Sequence, residues 1–253
     1  MAHGLSFAVA GYGAWCTAQW ISAAPAAVLA GGLLAGALTG VLIGSLAFIP
    51  LHDKPNFVVR GLVATLAISL LGVQALLTVF GPNARNLPSL FGSEPWSWGA
   101  WQVPADKGGA IVCAVALMGL TLLWMTRSRM GLQVRAMMQN PEGAALVGIG
   151  VRRTALTVMA VTGALAGLAA VLLSQTYFVS PFAGTTPLVK GLIIALAGGL
   201  GSVPGALAAA VLIGTAEALT GALLGGQYVL IVQFLLIIAV LLWRPRGLGG
   251  LLD

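Results

Sequence analysis

The chain has 253 residues, 59% of them hydrophobic and 7% charged, with a formal net charge of +6 and a mean hydropathy of +1.01. A soluble domain carries about 25% charged residues. This composition therefore excludes a soluble enzyme and, despite a pI near 10.0, a nucleic-acid-binding protein. It describes an all-α, polytopic transmembrane helical bundle, with residues 1–253 forming a single membrane domain.

Apolar runs near the ~20 residues needed to cross lipid occur, in chain order, at Leu5–Ser22, Ala26–Ile49, Gly61–Phe80, Gly109–Met125 and Thr154–Ser174. A longer stretch, Leu188–Leu224, is broken by Gly198-Gly199-Leu200-Gly201-Ser202-Val203-Pro204-Gly205, whose turn chemistry cannot sit inside a helix. It divides into Pro187–Ala197 and Gly205–Leu224, and Tyr228–Trp243 closes the series. Pro187–Ala197 is about 16 Å long at 1.5 Å per residue, too short to cross. The expectation is about eight membrane segments, seven of them spans and one a short re-entrant-like helix.

In the second run Gly32, Gly36, Gly40 and Gly44 recur every fourth residue, leaving one bare face for close helix packing. Gly163 and Gly167 repeat the spacing once. Trp20, Trp124 and Trp243 lie near segment ends, where amphipathic rings prefer the interface. Trp96, Trp98 and Trp101 crowd residues 81–108 and read as part of the same belt. Cys16 and Cys113 sit in apolar runs and read as buried, inert thiols.

With the first residues inside and a reversal at every segment, the inside holds Lys54, Arg60, Arg127, Arg129, Arg135, Arg152, Arg153, Arg244 and Arg246. The outside holds only Arg85, Lys107 and Lys190. This positive-inside bias puts loop 126–153 and the C-terminus in the cytoplasm and loop 81–108 outside.

Phosphate-loop, HExxH, CxxC and GxSxG signatures do not occur, and His3 and His52 are the only histidines. Catalytic and metal-ligating residues are therefore not assigned, and energy for uphill transport comes from an ion gradient or from a partner. A gradient-driven carrier needs ionisable groups within the membrane. The deep candidates are Glu217 and, on the neighbouring short helix, Lys190, expected within about one helical turn of the same depth and paired.

Residues 126–153 hold five arginines and one acid. Within them Asn140 suits an N-cap, Pro141 the first helical position, Glu142 the positive end of the macrodipole and Gly148 the stop. The reading is a short two-turn helix with an exposed Ala144-Ala145 face, too short to be stable alone and so suited to docking in a groove.

Three blocks carry a resemblance. Arg129-Met130-Gly131, Arg135-Ala136, Gln139-Asn140-Pro141-Glu142, Ala145 and Gly148-Ile149 form the first. The hairpin Gly198-Gly199-Leu200-Gly201-Ser202-Val203-Pro204-Gly205-Ala206 with Ala216-Glu217-Ala218-Leu219, and the ending Trp243-Arg244-Pro245-Arg246-Gly247-Leu248, form the others. In order and spacing, over nearly the whole chain, they resemble the permeases of branched-chain amino acid ABC transporters. The opening Met1-Ala2-His3-Gly4-Leu5 is similar to an Asn-Phe-Ala-His-Gly-Glu block that the family usually carries after a further segment or two. The expectation is a late-assigned start or an N-terminally shortened homologue.

The resemblance implies a permease subunit of an ATP-driven importer in the bacterial inner membrane. Arg129, Gly131, Arg135, Asn140, Pro141, Glu142, Ala145 and Gly148 would form the ATPase-coupling element, and Gly198, Gly199, Gly201, Ser202, Pro204 and Gly205 the hairpin near the pathway. Two cytoplasmic ABC ATPase subunits, a second permease chain of different sequence and a periplasmic solute-binding protein would be its partners, besides membrane lipid. It would hold no cofactor, ATP being used by the partner subunits. A urea or short-amide importer would carry nearly the same permease. From another class, a gradient-driven secondary transporter or channel competes, and the scarcity of intramembrane ionisable groups counts against it.

Overall fold

A computed structural model of the chain describes residues 2–52, 54–92, 94–98 and 101–249. It divides near residue 185 into two compact units.

The first unit begins with α1 (His3–Trp20) and α2 (Pro25–Ile43). Pro25 sits in the first turn of α2, where its missing N–H costs nothing. α2 runs on through a π-helical turn, Gly44–Phe48, into Ile49–Leu51. That turn lies next to Pro50, whose ring and absent donor disturb the hydrogen-bond ladder. Then come α3 (Phe57–Phe80), a two-stranded antiparallel hairpin of β1 (Trp96–Trp98) and β2 (Trp101–Val103), and α4 (Ala105–Arg127). Two short helices follow, α5 (Arg129–Gln139) and α6 (Pro141–Leu146), and the unit's last helix is α7 (Val151–Leu173).

α1, α2 and α7 pack on one another and supply most of this unit's core, including Ala10, Ala14, Val28, Ala170 and Val171. α3 buries only Leu76, and α4 only Ala105, Gly108 and Gly109 near its start. Apart from the Ile68, Val73 and Phe80 contacts of α3 with the α1 cluster, both helices present mainly exposed apolar side chains, which only lipid or another protein could cover without cost.

The second unit contains α8 (Thr185–Gly198), α9 (Val203–Leu223), a 3₁₀ turn at Gly226–Tyr228 and α10 (Val229–Trp243). Ile193, Ala197, Ala209, Ile213 and Ile237 form its core.

The helical membrane bundle is therefore present, but the expected segment count is not confirmed. Among the described residues six helices are long and apolar enough to cross a membrane. α1, expected as a seventh span, is not among them: it carries His3, Tyr12, Gln19 and several glycines among its apolar residues. α8, with 14 residues, is the short helix between turns. Two features depart from the sequence reading. α5 occupies ground read as loop, and residues 81–108 contain the hairpin and the first turn of α4. Cys16 and Cys113 are free thiols but only partly buried.

Candidate functional site

The bare face of α2 meets the bare face of α7. A Cβ on Gly36 would collide with the carbonyl of Gly163, and one on Gly163 with the carbonyl of Gly36. Gly32 stands against Val171 and Gly167, and Gly40 against Met159. As the numbers rise on α2 they fall on α7, so the helices run antiparallel, as alternating spans require. Gly44, at the end of the stripe, meets the Leu156 and Met159 side chains instead of backbone. α1 lies against the same seam, with Ala10 beside Gly167 and His3 Nε2 3.2 Å from Thr162 Oγ1. Without a hydrophobic drive between helices in lipid, such close backbone contact is what holds them together.

At the end of the unit where α3 stops, the chain is stapled. Arg85 and Val179 exchange two backbone hydrogen bonds of 2.8 Å each. The Arg85 guanidinium sits 4.3 Å from the Trp15 ring centroid and donates to the Phe80 carbonyl at 3.2 Å. Leu90 N–H donates to Gln175 Oε1 at 3.1 Å. Neither the staple nor the hairpin was legible from the loop's composition.

The connection between α4 and α7 holds the residues assigned to coupling. Ser128 caps α5 by accepting from Gly131 N–H at 2.9 Å. Gly131 is buried against the Trp124 and Met125 carbonyls, where a Cβ would not fit, so α5 folds tightly back at the end of α4. Arg135 donates to the Thr126 carbonyl at 3.4 Å and so places positive charge at the negative end of α4. Arg129 is exposed. Asn140 caps α6, accepting from Gly143 N–H at 2.9 Å; Pro141 and Glu142 fill its first turn. Gly148, at φ +86°, ends it.

One expectation is corrected here. Ala144 is buried, and of the Ala144-Ala145 pair only Ala145 faces out. The exposed apolar residues are instead Leu146, at 89% exposure, and Val147, at 77%. Sequence reasoning missed them, although two large apolar residues just before a glycine stop, in an arginine-rich loop, were the available signal.

In the second unit the glycine-rich turn closes α8 onto α9. Gly199 and Gly201 adopt φ of +93° and +91°, which a residue with a Cβ takes only at a cost. Ser202 caps α9 by accepting from Gly205 N–H at 3.1 Å, and Pro204 lies in the first turn. Gly198 is packed against Gly205 and Ala206. The tail after α10 then folds back over this turn. Leu248 N–H donates to Ala197 O at 2.8 Å and Gly249 N–H to Gly198 O at 2.9 Å. Gly247 stands against Gly199, and Gly249 against Gly205. Two of the three resembling blocks are thus one structural element, a relation invisible in their sequence positions.

Toward the other end of these helices Lys190 Nζ donates to Glu217 Oε1 at 2.5 Å. Gln233, on α10 and fully buried, donates through Nε2 to Glu217 Oε2 at 2.9 Å. The carboxylate is thereby tied on both oxygens. Gln233 escaped the sequence reading because it is uncharged and alone in an apolar run. Among the described residues no cluster of His, Cys, Asp and Glu could hold a metal ion.

The family model for the branched-chain amino acid transport system permease component matches residues 1–241. The high-affinity branched-chain amino acid transport permease LivH of Salmonella typhimurium is 30% identical over 237 residues, covering 89% of this chain and 74% of the relative. A protein of Methanocaldococcus jannaschii named "Probable branched-chain amino acid transport permease protein LivH" is 31% identical over 233 residues, 85% of this chain and 71% of that one. BraD of Pseudomonas aeruginosa is 38% identical over 141 residues, 55% of this chain and 46% of the relative. No solved structure matches the chain.

Proposed function

The chain belongs to the family of branched-chain amino acid transport permeases, and from that membership we propose that it is the membrane subunit of an importer energised by separate ATPase subunits. It would form the solute path with a second permease chain and receive branched-chain amino acids from a binding protein outside an inner membrane. The orientation follows from the arginines. Residues 126–153 hold five of them, which favours the cytoplasm for α5 and α6, and Arg244 and Arg246 favour it for the C-terminal tail.

The observation that carries the coupling role is the shape of the α4–α7 connection. α5 is fixed to the end of α4 through Gly131 and Arg135, and α6 is capped at both ends. Together they present Ala145, Leu146 and Val147 outward. A six-residue helix has little stability of its own. An ATPase groove that grips it would move α4 and α7 through these fixed joints.

Glu142→Lys combined with Ala145→Trp tests this. Both side chains are exposed and lie outside the apolar helices, so the permease should reach the membrane in normal amount. ATP-dependent uptake should be lost together with co-purification of the ATPase subunits. Retention of both would place the coupling element elsewhere.

A further inference from the structure

The polar group of α8, α9 and α10 has features that an internal structural ion pair does not need. Lys190 lies five residues into α8, Glu217 six residues before the end of α9 and Gln233 four residues into α10. At 1.5 Å per residue this is about 6–9 Å from the helix ends. At that depth the Lys190 and Glu217 side chains remain 28% and 32% exposed. Charges exposed to hydrocarbon are expensive, so intramembrane ionisable groups face other protein or a water-filled space.

The surroundings of the pair are bare. Gly214 and Gly221 stand three residues before and four after Glu217, on the same face of α9. Gly191 follows Lys190. All three are exposed, and a Cβ on any of them would meet nothing within 4 Å among the described residues. Glycine within a helix costs up to about 1 kcal/mol relative to alanine. In the α2–α7 seam that cost is offset by contact, whereas here no contact among the described residues offsets it. What the missing side chains leave is open space beside the pair. Behind it, Gln233 Oε1 is buried without a hydrogen-bond partner among the described residues.

We propose that the face carrying Lys190 and Glu217, with Gln233 buried behind it, lines a water-accessible stretch of the solute path and holds the two charged ends of a zwitterionic α-amino acid. The ligand carboxylate takes Lys190. The ligand ammonium takes Glu217 Oε1, while the buried Gln233 amide keeps hold of Oε2 and so fixes the carboxylate. Each protein charge exchanges one opposite partner for another, so solute enters and leaves without an unpaired charge remaining in the membrane. The inference deepens the proposed importer function and rests on it for the choice of solute.

The test uses Gly214→Cys and Gly221→Cys, made singly in a Cys16→Ala, Cys113→Ala background, in membrane vesicles holding the assembled transporter. The probes are a cationic, membrane-impermeant methanethiosulfonate and membrane-permeant N-ethylmaleimide. Both cysteines should react with the impermeant reagent. Saturating leucine should slow that reaction about tenfold, while leucinamide, which lacks the carboxylate, leaves it unchanged. Adding Glu217→Gln should abolish protection and keep the reaction. Reaction with N-ethylmaleimide alone would put this face in lipid, and no reaction with either reagent would put it under another subunit. Equal protection by leucinamide, or none by any α-amino acid, would leave no headgroup site. Each of these outcomes overturns the proposal. Leucine uptake in the same vesicles separates the two readings. Protection by a different α-amino acid, without leucine uptake, retires the branched-chain assignment and leaves the site standing.

Discussion

The same residue does opposite work in the two units. In the first, Gly32, Gly36, Gly163 and Gly167 bring α2 and α7 into contact so close that any Cβ strikes facing backbone or side chain. In the second, Gly191, Gly214 and Gly221 face open space next to a Lys–Glu pair. A small-residue repeat in a membrane helix therefore does not by itself say whether the face is packed or open. The deciding fact is what stands opposite. For Gly36, Gly163 and Gly167 that is a carbonyl, which cannot move aside; for the glycines beside the Lys–Glu pair nothing among the described residues stands opposite.

The contrast can be broken most severely at the seam. Gly36→Leu should destabilise the protein by about 3 kcal/mol, read as a large fall in its melting temperature in detergent, because backbone cannot relax around the new side chain. A leucine tolerated there would mean that the seam is looser than its geometry.

Next in size is the ion pair. Lys190→Met leaves Glu217 without its cation, at a cost of about 1–3 kcal/mol once partial exposure is allowed for. Exchanging the two residues, Lys190→Glu with Glu217→Lys, should recover most of that loss in the same melting assay. A double exchange no better than either single change would show that position, and not charge pairing, matters.

Gly199→Ala, at φ +93°, should cost about 1–2 kcal/mol. It should also loosen the C-terminal tail, seen as faster hydrogen exchange at Leu248 and Gly249. Unchanged exchange would argue against the tail's dependence on the turn. Smallest of all, and opposite in sign, Gly214→Ala should add about 0.5–1 kcal/mol of stability through helix propensity, because no neighbour stands in the way. Destabilisation there would mean that this glycine is packed after all.

Much of the fold was readable in the sequence because lipid imposes a simple rule. Apolar runs and the Gly198–Gly205 break located most helices to within a few residues. The rest depended on partners distant in the chain. The stripe on α2 was visible, but its match to Gly163 and Gly167 was not. The hairpin turn and the C-terminal block were visible separately, but not that Gly247 and Gly249 pack on Gly199 and Gly205. α5 was hidden because its mixture of Arg, Met and Gln has no continuous apolar run, and its packing on α4 needs one buried glycine. In the polar group the two charges were legible, while the uncharged Gln233 was not.

The central claim, ATP-driven import coupled through α6, is tested most directly by leucine uptake into vesicles that hold the assembled transporter, with ATP supplied or withheld. Wild-type uptake should require ATP and survive a proton ionophore. It should disappear in a Leu146→Asp, Val147→Asp double variant, whose melting temperature should stay within the shift expected for an exposed substitution, about 0.5 kcal/mol. Uptake that persists without ATP and collapses with the ionophore would contradict the account and make the protein a gradient-driven carrier.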